Sequence, residues 1–156
     1  MNDSANTYRT VVVGTDGSES SLRAVARAGA IAGATGATLV IVCAYLPTEA
    51  DDRELARAQD TLREDAYQVV GSHPAEDTVR TAAERAGAAG AGDVKTLAVE
   101  GSPVEVLLDT VQRQSADLLV VGNRGLAGIK GRLLGSVPAD ATRRSTCDVL
   151  VVHTTG

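Results

Sequence analysis

Three glycines and a serine late in the chain have a spacing that suits the binding of a phosphate. They form the pattern G-x2-G-x9-G-S and are Gly122, Gly125, Gly135 and Ser136. The apolar run of residues 116–121 before them is typical of a buried strand, and a candidate helix begins near Ser136. A glycine loop between a strand and a helix directs backbone N–H groups and the positive end of the helix dipole at an anion. We therefore expect an anionic ligand here.

Basic side chains in the same segment support this interpretation. Between Gly122 and Ser136 the sequence contains Arg124, Lys130 and Arg132 and no acidic residue. Each of these side chains alone is adequately explained as a solvated surface residue. Their joint lack of an acidic neighbour nevertheless favours an anion nearby.

Two other phosphate-binding signatures do not fit the chain. Lys130 precedes Gly131 rather than following it, so the G-x-x-x-x-G-K-[ST] loop is absent. The first candidate turn, residues 14–17, lacks the G-x-G-x-x-G spacing of dinucleotide sites. The glycine pattern therefore indicates another kind of phosphate or nucleotide loop.

The rest of the sequence alternates between candidate strands and helices. Apolar runs predict strands at residues 10–15, 38–44, 94–99, 118–121 and 148–153, and helical periodicity predicts helices that begin near residues 18, 55, 75, 103 and 137. This alternation predicts an α/β fold with a parallel doubly wound sheet and helices on both faces. The expected sheet is five-stranded, in the order 3-2-1-4-5. With 156 residues, the chain is expected to form a single domain, residues 1–156.

The same topology predicts where a ligand would bind. A doubly wound sheet binds its ligand at the carboxyl ends of the strands, where the winding direction reverses. If strands one and four are neighbours, Gly14, Thr15 and Asp16 face the loop that begins at Gly122. The two segments would then form one site.

Two capping patterns predict how helices begin. Ser102 and Glu105 form a capping box around Pro103, which predicts a helix start capped by Ser102. Asp16 and Glu19 have the same spacing. A helix cap is therefore the alternative to a ligand-binding role for Asp16.

Composition excludes several classes of protein. The net charge of −5 argues against a nucleic-acid binder, because such proteins present a basic face to phosphates. No apolar run reaches the roughly 20 residues of a membrane-spanning helix, and no signal peptide is apparent. We therefore expect a cytoplasmic protein with no membrane partner. Cys43 and Cys147 lie in apolar runs and are predicted to be small buried residues rather than a disulfide or metal pair.

The chain resembles the nucleotide-binding branch of the universal stress protein family. Gly-Thr-Asp-Gly-Ser at residues 14–18, the G-x2-G-x9-G-S pattern and the closing Cys-Asp-Val-Leu-Val-Val at 147–152 carry the resemblance, which covers the whole domain. The glycine pattern matches the ATP loop of that branch without a gap. The chain is also similar to single-domain mycobacterial members that bind cyclic AMP, in residues 45–47 and 131–139.

The resemblance implies a role for residues at two ends of an adenine nucleotide. Gly14, Thr15 and Asp16 would lie beside adenine or ribose, and Ala44 would contact the base through its backbone. The residues that would surround ribose and phosphates are Gly122, Asn123, Arg124, Gly125, Gly128, Gly135, Ser136 and Val137. Ser136 has helix capping as an alternative role, and Gly128 has loop flexibility.

The implied ligand is ATP or cyclic AMP, with Mg²⁺ as a companion of ATP. The resemblance further implies a stress-response regulator, or a nucleotide sensor or sequestering protein, that forms a homodimer through the edge strand at 148–153. A covered edge is the alternative to this dimer. Because the loop contains no carboxylate to position water or a metal, we expect no enzyme and no catalytic residue. A slow ATPase and a ligand-free dimeric interaction module remain the alternative functions.

Overall fold

The computed structural model of the protein describes residues 7–47, 70–124 and 136–154. Its strands are β1 (Thr10–Gly14), β2 (Thr38–Tyr45), β3 (Asp93–Glu100), β4 (Leu118–Gly122) and β5 (Asp148–Val152). They form one parallel sheet in the order β3-β2-β1-β4-β5, which confirms the predicted fold. The helices in this part of the chain are α1 (Glu19–Thr35), α2 (Ser72–Ala88), α3 (Pro103–Arg113) and α4 (Ser136–Arg144).

Helices cover both faces of the sheet, and this explains the unbroken apolar runs of its central strands. Val11 and Val13 of β1 belong to the core beneath α1 and α2, whereas Val12 belongs to the core beneath α3 and α4. Side chains of successive strand residues point to opposite faces. A strand that is covered on both faces is therefore apolar at every position.

Asp117 joins the starts of β1 and β4 at the amino edge of the sheet. Its carboxylate accepts hydrogen bonds from the backbone N–H groups of Arg9, at 2.9 Å, and Thr10, at 3.1 Å. The N–H of Asp117 in turn donates to the carbonyl oxygen of Thr10 at 3.0 Å. The two strands are therefore held in register before their ladder begins.

Helix α1 is closed at both ends by its own sequence. The Ser18 side chain accepts a hydrogen bond from the N–H of Ser21, and Gly36 ends the helix with a φ of 70°. That left-handed conformation favours glycine because it has no Cβ atom. Within the helix, Gly29 and Gly33 lie against the backbone of residues 86 and 90.

Helix α2 begins earlier than its sequence pattern predicts. It starts at Ser72 rather than near Ala75, because Pro74 fits the first turn, where its missing N–H needs no partner. Val70, predicted as the end of the helix from residue 55, instead forms a parallel bridge with Leu46. The rest of that predicted helix lies outside the described residues.

The start of α3 corrects a second prediction. Ser102 occupies the N-cap position, but its side chain makes no capping hydrogen bond. Glu105, the other half of the predicted capping box, forms an ion pair with Arg144 at 2.8 Å. A partner on α4 thus replaces the local one, and the ion pair joins the two helices.

The remaining boundaries differ from the predicted ones by single residues. Strands β1 and β5 each end one residue earlier, at Gly14 and Val152, and β3 is one residue longer at both ends. None of the helices in the described ranges has the length and apolar content needed to cross a membrane.

Candidate functional site

The carboxyl ends of β1 and β4 lie side by side. The strands pair in parallel, with Val13 opposite Val120. Gly14-Thr15-Asp16 and the segment that begins at Gly122 therefore leave the sheet at the same edge, as the strand order requires. This edge brings together the two segments that the sequence predicts to form one site.

Gly14 and Thr15 are held at this edge by contacts inside the protein. A Cβ atom on Gly14 would lie 2.8 Å from Cδ2 of Leu107, so glycine lets α3 pack against the end of β1. Thr15 is fully buried, and its N–H donates to the carbonyl oxygen of Val42 at 3.0 Å. Its hydroxyl shares a 2.8 Å hydrogen bond with that of Ser21. These contacts shape the turn that carries Asp16.

Asp16 has a defined orientation although it is not the cap of α1. One carboxylate oxygen, Oδ1, accepts a hydrogen bond of 2.9 Å from the N–H of Ser18, which is the pattern of an Asx turn. The alternative prediction that Asp16 caps the helix is therefore wrong, because Ser18 is the N-cap. Glu19, the other residue of that pattern, pairs with Arg85 at 2.6 Å. Asp16 is 6% exposed, so a nearly buried carboxylate lies at the edge.

Cys43 lies beneath the same edge as a neutral thiol. Burial raises its pKa to about 12, and the negative charge of Asp16 contributes to the shift. Both cysteines are free, with Cys43 buried and Cys147 half-buried. Because its thiolate is disfavoured by these surroundings, Cys43 acts as a packing residue under the turn.

Ala44 also lies at the carboxyl end of the sheet. It follows Cys43 in β2 and pairs with Val99 of β3. Its half-buried side chain packs against the core beneath α3 and α4. The structure therefore places Ala44 at the same edge as Gly14, on the strand next to β1.

Asn123 connects the end of β4 to Val152, the last residue of β5, and to Thr154, two residues further on. Its N–H donates to the carbonyl oxygen of Val152 at 2.8 Å. Its side-chain oxygen accepts two hydrogen bonds from Thr154, one from the N–H at 2.8 Å and one from the hydroxyl at 3.0 Å. The start of the glycine loop is therefore tied to the end of the sheet.

The start of α4 completes the described part of the site. Ser136 is exposed at the first position of the helix, and Val137 is buried in the core beneath α3 and α4. A crossover helix between parallel strands begins at the carboxyl edge, so its N–H groups point there. The predicted loop residues Gly125, Gly128 and Gly135 lie outside the described residues.

Comparison with known proteins identifies the family. Residues 7–153 match the model of the universal stress protein family. The chain belongs to the universal stress protein family. The match confirms the resemblance noted in the glycine pattern and in the first and last strands.

The relatives of this universal stress protein include a mycobacterial one. The chain is 53% identical over 148 residues to universal stress protein Rv1636 of Mycobacterium tuberculosis, covering 95% of this chain and 98% of the relative. It is 48% identical to a universal stress protein whose crystal structure contains cyclic AMP, with a TM-score of 0.71 and coverage of 96% and 99%. The fold is shared with universal stress protein UspA of Lactobacillus plantarum, which is 22% identical and has a TM-score of 0.72. That match covers 94% of this chain and 98% of the other.

Sequence reasoning missed the contacts of Thr154, Ser20 and Arg23 in this universal stress protein. Thr154 is 3% exposed although it follows the last strand. The hydroxyls of Ser20 and Thr154 are 2.5 Å apart, and the guanidinium of Arg23 donates to the carbonyl oxygen of Thr154 at 2.7 Å. The predicted strand order could have indicated these contacts. Because β5 is predicted beside β4, the residues that follow the two strands must lie close together.

Metal ligands are not grouped in the described part of the chain. Residues 7–47, 70–124 and 136–154 contain no cluster of three or more His, Cys, Asp or Glu side chains that could hold a metal ion. Every buried side-chain nitrogen or oxygen in these ranges has a hydrogen-bond partner. The buried polar side-chain atoms of these ranges are thus held in place by other groups of the protein.

Proposed function

We propose that this universal stress protein binds an adenine nucleotide at the carboxyl edge between β1 and β4, and that cyclic AMP is its ligand. The observation that carries the proposal is the meeting of the Asp16 turn and the Gly122 segment at adjacent parallel strands. The cyclic AMP bound by a relative of 48% identity supports the choice of ligand. The protein would act as a stress-response regulator, or as a sensor or store of the nucleotide.

The proposal assigns the two segments to opposite ends of the ligand. The nearly buried carboxylate of Asp16 would accept hydrogen bonds from ribose hydroxyl or adenine amino groups, and Gly14, Thr15 and Ala44 would shape the wall beside them. The cationic loop and the start of α4 would hold the phosphate. Its proposed residues are Gly122, Asn123, Arg124, Gly125, Gly128, Gly135, Ser136 and Val137.

ATP is the second candidate ligand, since the whole G-x2-G-x9-G-S pattern is long enough to surround more than one phosphate. Mg²⁺ would then accompany the triphosphate, held by its phosphate oxygens. Cyclic AMP carries a single phosphate and would need only the part of the loop nearest β4. The two ligands therefore make different demands on Ser136 at the far end of the pattern.

We further propose that the protein does not hydrolyse its ligand. Phosphoryl transfer needs a group that positions water and usually carboxylates that hold a metal near the transferred phosphate. The sequence from 122 to 136 contains no carboxylate. Asp16 would be occupied at the opposite end of the nucleotide.

The assembly and location of the protein are also proposals. Residues 149–151 of the edge strand β5 are apolar and half-buried. An apolar edge strand is a template for pairing with a second strand. We propose a homodimer through residues 148–153, built from single-domain chains in the cytoplasm.

Isothermal titration calorimetry with cyclic AMP, ATP, AMP and GTP tests the proposal. We expect cyclic AMP to bind more tightly than GTP and the variant Gly125→Glu to lose binding, because a carboxylate would enter the phosphate loop. Gly92→Glu is the matched control, since Gly92 is exposed and a Cβ atom there has nothing within 4 Å. If none of the four nucleotides gives a heat of binding, the proposed function is refuted. Turnover of ATP at about 1 s⁻¹ or faster would indicate an enzyme instead.

A further inference from the structure

Thr154 makes more contacts with the candidate site than its position after the last strand suggests. Its N–H and its hydroxyl both donate to Oδ1 of Asn123, at 2.8 and 3.0 Å. An amide oxygen has two lone pairs and can accept both of these hydrogen bonds. The side chain of Asn123 is therefore held in one orientation at the start of the glycine loop.

Ser20 extends this contact to the other segment of the site. Its hydroxyl lies 2.5 Å from that of Thr154. Because the single hydroxyl proton of Thr154 is directed to Asn123, Ser20 is the donor in this bond. Ser20 lies in the first turn of α1, directly after the Asx turn made by Asp16. A chain of hydrogen bonds thus runs from the start of α1 through Thr154 to Asn123.

Gly122 makes room for this chain of hydrogen bonds. A Cβ atom on Gly122 would lie 3.2 Å from the Cγ2 methyl group of Thr154, closer than most such contacts. The Thr154 backbone is fixed as well, since Arg23 donates to its carbonyl oxygen at 2.7 Å. The packing of Thr154 therefore explains why position 122 is a glycine, in addition to the role proposed for Gly122 beside the ligand.

We propose that Thr154 is a positioning residue of the nucleotide site. The three residues Ser20, Asn123 and Thr154 form a clasp, which fixes Asn123, directly after β4, relative to the start of α1 and the Asp16 turn. This inference rests on the proposed function, because a ligand held by both segments gains affinity when their separation is fixed beforehand. Thermodynamic linkage then requires the ligand to stabilise the clasp in return.

Calorimetric titration of the full chain with cyclic AMP tests whether the clasp increases the affinity for the ligand. Thr154→Val removes the hydroxyl and keeps the shape, and we expect it to weaken binding about fivefold, the effect of one neutral hydrogen bond. Thr154→Ser keeps the hydroxyl and should bind within about twofold of the natural protein. Thr110→Val is the control, since Thr110 is as buried as Thr154, at 4% against 3%, and its hydroxyl bonds within α3.

Hydrogen exchange tests whether the ligand stabilises the clasp in return. Cyclic AMP should slow exchange of the Thr154 amide in the natural protein, and the effect should be lost in Asn123→Ala. In an Asn123→Ala background, Thr154→Val should weaken binding no further, because the acceptor of its bond is already missing.

The outcomes separate this inference from the proposed function. If the natural protein binds cyclic AMP and Thr154→Val binds equally well, the clasp is refuted and the proposed function stands. If Thr154→Val does not fold, unchanged Thr154 exchange in the natural protein with saturating cyclic AMP refutes the clasp. If the natural protein binds no nucleotide, both proposals fail.

Discussion

Gly29 of α1 lies so close to Ala86 of α2 that a Cβ atom on Gly29 would be 2.7 Å from the Ala86 carbonyl oxygen. The obstacle is backbone, which cannot rotate away as a side chain can. The absence of a side chain at Gly29 therefore sets the distance between the two helices that cover one face of the sheet. Gly33, one turn later, makes the same kind of approach to the carbonyl oxygen of Gly90.

Gly29→Ala should therefore destabilise the protein by about 1–3 kcal/mol, the usual cost of overpacking. Gly87→Ala is the matched control in α2, where a Cβ atom has nothing within 4 Å. It should stabilise by roughly 0.5–1 kcal/mol, because alanine favours a helix over glycine. Urea unfolding measures both changes. A Gly29→Ala protein as stable as the natural one would contradict the close contact.

Much of the architecture can be predicted from local patterns, whereas close approaches between elements cannot. The apolar run of residues 38–44 identifies a strand covered on both faces, and the alternation of strands and helices predicts the parallel sheet that is observed. Gly29 satisfies the helical periodicity of α1 without revealing what lies against it. Its importance depends on Ala86, which is distant in sequence.

Capping shows the same division within the candidate site. Asp16 and Ser18 are both good caps by residue type, and only the backbone of the turn decides between them. The Ser102–Glu105 pattern places a helix start correctly, but Glu105 finds Arg144 on another helix. The family resemblance implies a site role for Asn123, whereas its partner Thr154 carries no local motif.

Asp16→Asn should weaken cyclic AMP binding about tenfold while leaving the fold intact. The amide oxygen can still accept the hydrogen bond from Ser18, so the Asx turn is kept. A charge-assisted bond to the ligand is roughly twice as strong as a neutral one, and that difference is lost. Glu19→Gln is the control, because Glu19 pairs with Arg85 away from the turn. Tighter binding by Asp16→Asn in calorimetry would show that the carboxylate opposes the phosphate instead.

Cys43 should resist thiol reagents in the folded protein, whereas Cys147 should react. Burial, assisted by the charge of Asp16, raises the pKa of Cys43 from 9.0 to about 12, so almost no thiolate forms at pH 8. With Ellman's reagent at that pH, Cys147→Ser should show no fast-reacting thiol and Cys43→Ala should show one. Both should react fully in urea. Rapid labelling of Cys43 in the folded Cys147→Ser protein would contradict its burial.

The raised pKa of Cys43 also predicts how stability depends on pH. In the folded protein the Cys43 thiol keeps its proton above pH 9.0, whereas in the unfolded chain this thiol is largely deprotonated there. Stability from this group is therefore fully present below pH 9.0 and falls as pH rises towards about 12. Cys43→Ala should lose less stability between pH 8 and pH 10 than the natural protein does. Urea unfolding at pH 8 and pH 10 measures this loss. An equal loss of unfolding free energy in the two proteins would contradict the raised pKa of Cys43.

Asp117→Ala should cost about 1–3 kcal/mol of stability, because it leaves the N–H groups at the start of β1 without their acceptor. The carboxylate of Asp117 bonds the N–H groups of Arg9 and Thr10, one of which is part-buried. Asp109→Ala is the control, since the exposed Asp109–Arg113 pair should contribute less than about 1 kcal/mol. Amide exchange distinguishes the mechanism, because Asp117→Ala should speed exchange at Thr10 and leave Thr15, at the other end of β1, nearly unchanged. Equal unfolding midpoints for the two variants would show that Asp117 does not hold β1 and β4 together.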